Sequence, residues 1–273
     1  MRYQIDHDLH IHSCLSLCAK STRQNPERIL EYAAENGFST VVLTDHYWDE
    51  RVDGVSFYGN DKERWYSIQN TAHTDLALPL PQKDGIRFLY GCETEMDMRC
   101  RIGISPKEVE RRAFIIVPTT HLHMTGLSIA EEDRTVDKCA ELWVKRFEAL
   151  LESGLPLRKV GIAHLTCPLF SPERTAESTV ECLSKIASED MKHLFGKAAE
   201  GGLGIEINFS AKPFEAMGAL DELLRPYRIA SECGCKFYLG SDAHHPDELA
   251  RARANFETNI DLLGLTEDQK FNI

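Results

Sequence analysis

The feature that most constrains this chain is an alternation. Short apolar runs and amphipathic helical stretches succeed one another from end to end. Seven runs read as strands: residues 3–12, 40–46, 86–95, 114–121, 159–164, 204–208 and 236–241. Between them lie helix signals. In "NPERILEYAAENG", Asn25 is placed to cap, Pro26 falls in the first turn and Gly37 stands just past the end. Val136, Cys139, Ala140, Trp143, Phe147, Leu150 and Leu151 mark one face of a long helix. Residues 178–202 read as another. Residues 218–234 read as a third that Pro226 must kink or split, and Pro246 opens the last. Such alternation predicts an α/β fold, a parallel sheet with helices outside. At 273 residues the chain fits one domain over 1–273, and seven strands suit a closed TIM-like barrel better than a sandwich. An open doubly wound sheet is the other arrangement the pattern allows. Residues 47–85 are too long for an ordinary connection; with Trp48, Tyr58, Trp65 and Tyr66 they read as an ordered insertion near the site.

The polar residues concentrate where these runs end. The first, "DHDLHIHS", sets Asp8, His10 and His12 two apart, on one face of a strand. The second ends in Asp45 and His46, and the third carries Glu93 and Glu95. The fourth ends in His121 and His123 and the fifth in His164. The sixth contains Glu206 and Asn208; the seventh ends in Asp242 and His244. In parallel α/β barrels the C-terminal strand ends converge on the active site, so these residues would meet in one mouth. Of eleven histidines, only His7, His73, His193 and His245 fall outside the pattern. Imidazoles mixed with carboxylates are ligands for divalent ions.

Composition excludes some functions. The formal charge is −12, from 31 basic and 43 acidic residues, which argues against a nucleic-acid-binding face. It leaves room for an anionic substrate, because bound divalent ions reverse the local potential. No run reaches the length of a membrane span and no signal-peptide pattern opens the chain, so a cytoplasmic protein with no membrane partner is expected. The nine irregularly spaced cysteines read as reduced thiols. Oligomeric state is not legible here.

"DLHIHS", "LTDH", "GCETE", "AHL" and "GSDAH", in this order, resemble the motifs of the polymerase and histidinol phosphatase (PHP) superfamily over nearly the whole chain. "GIEINFSAK" is similar to a segment of its histidinol-phosphatase-like members. The resemblance implies a distorted (β/α)7 barrel and a phosphoesterase using two or three divalent metal ions, zinc, manganese or iron. It implies that His10 and His12 bind a first ion with Asp242, that Glu93 bridges to a second completed by His121 and His164, and that His46 and His244 hold a third. His123 competes with His121. A further histidine or aspartate is usual where this chain has Cys18, whose thiolate is itself able to bind zinc or iron.

A divalent cluster lowers the pKa of water from 15.7 toward about 7 and clamps phosphoryl oxygens. The expected reaction is hydrolysis of a small phosphomonoester, histidinol phosphate or a similar compound, by a metal-bridging hydroxide. Asp242, Glu93 and His244 are expected nearest the chemistry. Asp8 is expected to accept an imidazole N–H, and Lys212 and Arg251 are the expected cations for the substrate phosphate. Three other readings compete: an amidohydrolase-type metal hydrolase, a PHP-type nuclease or phosphodiesterase, and a non-catalytic fold stapled by metal.

Overall fold

Each of the seven apolar runs contains a strand, shorter than its pattern. The computed structural model describes residues 1–19, 21–54 and 66–273. The strands are β1 (His7–Ile11), β2 (Thr40–Leu43), β3 (His46–Tyr47), β4 (Arg87–Tyr90), β5 (Cys92–Thr94), β6 (Ile115–Val117), β7 (Val160–Ile162), β8 (Gly204–Ile207) and β9 (Lys236–Leu239). They form two parallel sheets, ordered β1-β2-β4 and β3-β5-β6-β7-β8-β9. β2 and β3 come from one run, interrupted at Thr44 and Asp45; β4 and β5 come from another, interrupted at Gly91. Gly91 is required there, since a Cβ would lie 2.6 Å from the Phe114 carbonyl oxygen and 2.7 Å from Val42. Past β9, the Asp242 N–H donates to the His10 carbonyl (2.8 Å) and the His12 N–H to that of Ala243 (3.1 Å). The end of the last strand therefore lies beside the end of the first.

The helices form where caps and apolar stripes coincide. α1 (Pro26–Asn36) starts at Asn25, whose side chain accepts the Arg28 N–H, and ends at Gly37 with φ 69°. After it come α2 (Thr71–Thr74), α3 (Pro106–Arg111) and α4 (Val136–Leu151). The stretch expected to be one helix over 178–202 is two, α5 (Ala176–Lys185) and α6 (Ser188–Gly201). Ile186 and Ala187 are extended between them, and Glu189 and Asp190 favour a new N-terminus through the helix dipole. α7 (Lys212–Ala216) is short; α8 (Leu220–Glu232) runs through Pro226 without splitting, and α9 (Pro246–Leu263) closes the series. Among the described residues, no helix is long and apolar enough to cross a membrane.

Side-chain alternation divides the core. Val41, Leu43, Ile115 and Val117 join the large cluster shared with Tyr32, Trp143 and Phe147 of the helices. Val42 and Ile116, one residue out of phase, join a small cluster with Leu9, Phe114, Ala163, Tyr238 and Phe271. Opposite faces of the strands are thus both buried, as a parallel sheet demands.

β1 departs from this alternation. It pairs with β2 through His7–Thr40 and Asp8–Val41, then through Ile11–Leu43. Leu9 and His10 together oppose Val42, a β-bulge. Asp8 therefore falls on the helix side, where its Oδ2 accepts the Tyr32 hydroxyl at 2.9 Å. The expectation that Asp8 shares a face with His10 and His12 fails for this reason. Its carboxylate serves no imidazole and instead accepts the backbone N–H groups of His10 (3.2 Å) and Ser241 (3.0 Å).

In the insertion over 47–85, Trp48 and Tyr66 form a local core with Met124 and Leu127. Tyr58 and Trp65 lie outside the described residues.

Candidate metal centre

Eight of the nine expected ligands come together with close contacts, on backbone just past or at the ends of the strands. His10 Nε2 is 3.0 Å from His12 Nε2, 3.4 Å from Asp242 Oδ1 and 3.6 Å from Glu93 Oε2. His12 Nε2 is 3.0 Å from Asp242 Oδ1 and 3.4 Å from Glu93 Oε2. On the other side of Glu93, Oε1 lies 3.4 Å from His164 Nε2 and 3.9 Å from His121 Nε2. His46 Nδ1 stands 2.8 Å from Glu93 Oε2, and the His244 ring stacks on that of His12 at 4.0 Å. Three sets, His10/His12/Glu93/Asp242, Glu93/His121/His164 and His12/His46/His244, each bring their ligand atoms within 4.8 Å of one another. The ninth, Cys18, lines the same cavity together with His46 and His244.

The tautomers can be read from the outer hydrogen bonds. His10 Nδ1 lies 2.6 Å from Glu206 Oε1 and His121 Nδ1 lies 2.9 Å from Glu95 Oε2. Carboxylates only accept, so both rings carry the proton on Nδ1. His244 Nδ1 likewise donates to the Asp242 carbonyl at 2.8 Å. The Ser16 hydroxyl donates its one proton to Asp45 (2.8 Å) and accepts the His46 N–H (3.1 Å). It must therefore accept from His12 Nδ1, 3.0 Å away. Four rings are thus left with a bare Nε2. Those of His10 and His12 converge with Glu93 and Asp242.

Opposing these nitrogens are buried carboxylates without protein donors. Among the described residues, Glu93 Oε1 and Oε2, Asp242 Oδ1 and His164 Nε2 are buried atoms with no hydrogen-bond partner. Burying an ionised group unpaired costs several kcal/mol, roughly, after relaxation. Lone pairs of four or more groups aimed at common points fit a bound cation and fit no arrangement of neutral protein atoms. The donor set suits divalent zinc, manganese or iron.

The electrostatics agree. Burial opposes ionisation of Glu93, yet the positive His46 and His10 hold its carboxyl well below the usual range. Burial opposes charging of His10, but Glu206, Asp242 and Glu93 raise its proton affinity well above the ordinary imidazole value. The Cys18 thiol, despite its burial, is drawn down to about 5 by the neighbouring His46 and His244. A field that attracts protons to Nε2 attracts any cation there.

Backbone strain sits in the same place. His164 and Asp242 have φ of 42° and 52°. Left-handed conformations of non-glycine residues cost about 1–3 kcal/mol each and persist where surroundings enforce them. For His164 the enforcement is visible: its N–H donates to Glu206 Oε2 at 2.8 Å.

Three cavities share Asp242 as a wall. The central one, about 210 Å³, is lined by Cys18, His46, Glu93, His121, His123 and His244 among others. A polar one of about 280 Å³ carries Asn208, Arg251 and Asn255. An apolar one of about 250 Å³ starts at His164. Arg251 thus stands beside the centre, its Nε donating to the Asp247 carbonyl. Lys212 is exposed at the start of α7 and is not among the residues lining the three cavities. His123 packs edge-on against His121 with ring centroids 5.0 Å apart.

No family model matches the chain, and no curated protein matches it in sequence. Solved structures do. One is the histidinol phosphate phosphatase of Lactococcus lactis subsp. lactis Il1403, complexed with zinc, L-histidinol and phosphate. It is 14% identical, with a TM-score of 0.57, over 98% of this chain and 99% of that one. Another, from Listeria monocytogenes, is described as a histidinol phosphatase. It is 15% identical, with a TM-score of 0.61, over 92% of this chain and 99% of that one. The chain shares its fold with these proteins.

Sequence reasoning missed the groups that orient the rings. Glu95 stood out as a strand-end carboxylate but had no assigned role. It holds His121 and also accepts the Tyr66 hydroxyl at 2.9 Å. Ser16 carried no signal at all, since two of its three partners, Asp45 and His46, lie 29 and 30 residues away.

Proposed function

We propose that this chain is a metal-dependent phosphatase that hydrolyses small phosphomonoesters, histidinol phosphate being one candidate from its structural neighbours. The carrying observation is the convergence of bare imidazole nitrogens on unpaired buried carboxylates. His10, His12, Glu93 and Asp242 would hold a first divalent ion; Glu93, His121 and His164 a second; His46 and His244, with Cys18 and His12 nearest, a third. When bound, such ions supply Lewis acidity toward phosphoryl oxygens and make water acidic enough to attack near neutral pH.

The protein's own groups do the rest. Glu206, Glu95 and the Ser16–Asp45 pair fix the rings so that Nε2 faces inward, which raises ligand basicity and precision. Glu93 reaches both sides of the cluster with its two oxygens. Asp242, at the junction of the cavities, can hold and orient the attacking water. Arg251, with Lys212 as the second cation, would neutralise phosphoryl oxygens as charge moves to the leaving group.

The strands support a distorted (β/α)7 barrel in one domain over 1–273. β2 with β3 and β4 with β5 each count as one interrupted strand, making seven. The hydrogen bonds of Asp242 and His12 between β1 and the end of β9 support closure at that edge.

The test is elemental analysis of the purified chain followed by phosphate release from sugar, amino-alcohol and nucleotide phosphates. Two or three divalent ions per chain, and release abolished by chelation and restored by metal, are the expected results. Release that survives complete metal removal would overturn the reading.

A further inference from the structure

Apart from His164 and Asp242, none of the residues lining the apolar cavity is a candidate ion ligand. Its walls are Pro168, Leu169, Phe209, Pro213 and Phe214. Leu169 and Asp242 also line the central cavity, so the two are neighbours. The walls are fixed in advance. Phe214 is buried in a small cluster with Ala211 and Leu223. The Phe209 carbonyl accepts Asn259 Nδ2 at 3.0 Å, and its ring packs on Tyr227 at 5.0 Å. Two phenyl rings and two prolines present rigid, flat surfaces, so little ordering cost remains for a ligand. Among the residues lining this cavity, Asp242 is the one carboxylate, and it faces the histidines: Oδ1 is 3.0 Å from His12 Nε2 and Oδ2 is 3.6 Å from His164 Nε2. An ammonium group here would lose its water and meet only neutral acceptors, those of Thr166, Asn208 and Ser210, in exchange.

We propose that this cavity receives the alcohol portion of the phosphate ester and selects alcohols bearing a flat, uncharged ring. The inference rests on the phosphatase reading, extends it to substrate class, and places histidinol phosphate, whose alcohol carries an ammonium group, behind esters of uncharged ring alcohols. In the polar cavity on the other side of Asp242, Arg251 and Asn255 can donate to anionic oxygens while Glu248 accepts the His244 and His245 N–H groups (2.6 and 3.0 Å), which leaves the apolar cavity for the organic group. In the reaction the bond between phosphorus and the alcohol oxygen breaks and one from phosphorus to a water oxygen forms. One proton of that water ends on the alcohol, so ester and water give alcohol and inorganic phosphate.

The test uses the zinc-loaded full chain. Calorimetry should show phenylphosphonate binding roughly tenfold more tightly than 2-aminoethylphosphonate, the scale a filled apolar pocket provides. Turnover should favour phenyl phosphate over glycerol phosphate and O-phosphoethanolamine in kcat/KM. Phe209→Ala should lower the phenyl-to-glycerol ratio of kcat/KM by roughly tenfold, mainly through KM. Equal binding of the two phosphonates to the unmutated protein, or an unchanged ratio in a folded F209A, would overturn the proposal while leaving a phosphatase. Absence of phosphate release from every ester would instead overturn the phosphatase reading, and this inference with it.

Discussion

His10 Nδ1 and Glu206 Oε1 lie 2.6 Å apart, both fully buried, and the second oxygen of the same carboxylate takes the His164 amide. One side chain from β8 therefore sets the ring of a residue on β1 and the backbone at the end of β7. Glu206→Gln keeps the shape but weakens the acceptor and removes the charge. Metal affinity should fall about 10–100-fold, as for other outer partners of ligating histidines. Chelator competition measures it, with far-UV circular dichroism as the check on folding. Unchanged affinity would mean that Glu206 only packs.

Gly240 makes this contact possible. A Cβ there would clash with Glu206 Oε1 and approach His10 Cβ to 2.7 Å. Gly240→Ala should destabilise the fold by about 1–3 kcal/mol, the usual range for overpacking. Urea denaturation reads this directly. A mutant of native stability with native metal content would show that the strand end yields freely.

Acid stability is governed at the opposite end of the strands. The Leu239 N–H donates to His7 Nε2 (3.1 Å), so the neutral ring is protonated on Nδ1 and faces Asp6 (2.9 Å). Burial lowers the His7 pKa from 6.5, although Asp6 pulls it upward. The unfolded chain therefore takes up this proton first on acidification. The contribution of His7 is complete above about 6.5 and is lost as pH falls below it. Asp6 acts lower: the hydrogen bond from His7, with Lys270 at 3.1 Å, outweighs burial and brings its carboxyl from 3.8 to about 2. Its contribution is present above 3.8 and is lost toward 2. Melting temperatures between pH 8 and pH 5 should fall less steeply for His7→Gln than for the unmutated protein.

The two candidate cations should separate kinetically. Arg251 lines a cavity bounded by Asp242, whereas Lys212 is exposed on a short helix. Arg251→Ala should raise KM for a phosphate ester roughly tenfold, the scale of one charge-assisted hydrogen bond. Lys212→Ala should change it less. Metal content should be unaltered in both. The reverse order would move the phosphate to the other side of Asp242.

Much of this was legible because two periodicities survive folding. All seven strand runs contain strands, and Asn25, Gly37 and Pro246 bound helices where their chemistry requires. The histidines were legible because strand ends in parallel sheets converge. Other features depended on partners far away in sequence. Glu206 and His10 are 196 residues apart, so no local pattern links them. Asp8 misled because strict alternation was assumed across a bulge. The break at Ile186 was hidden because Leu183 and Met191 on either side of it are both buried, which mimics one continuous stripe.

The extra residue in β1 acts as a phase shifter. With it, Leu9 and His10 both turn inward and His12 follows; the same residues in strict alternation from Asp8 would turn every side chain after Leu9 to the opposite face. Flattening the bulge without removing a residue would therefore do more than straighten a strand. It would send an imidazole toward the helices and an isoleucine into the polar mouth, so the pairing register of this short segment is as tightly constrained as its composition.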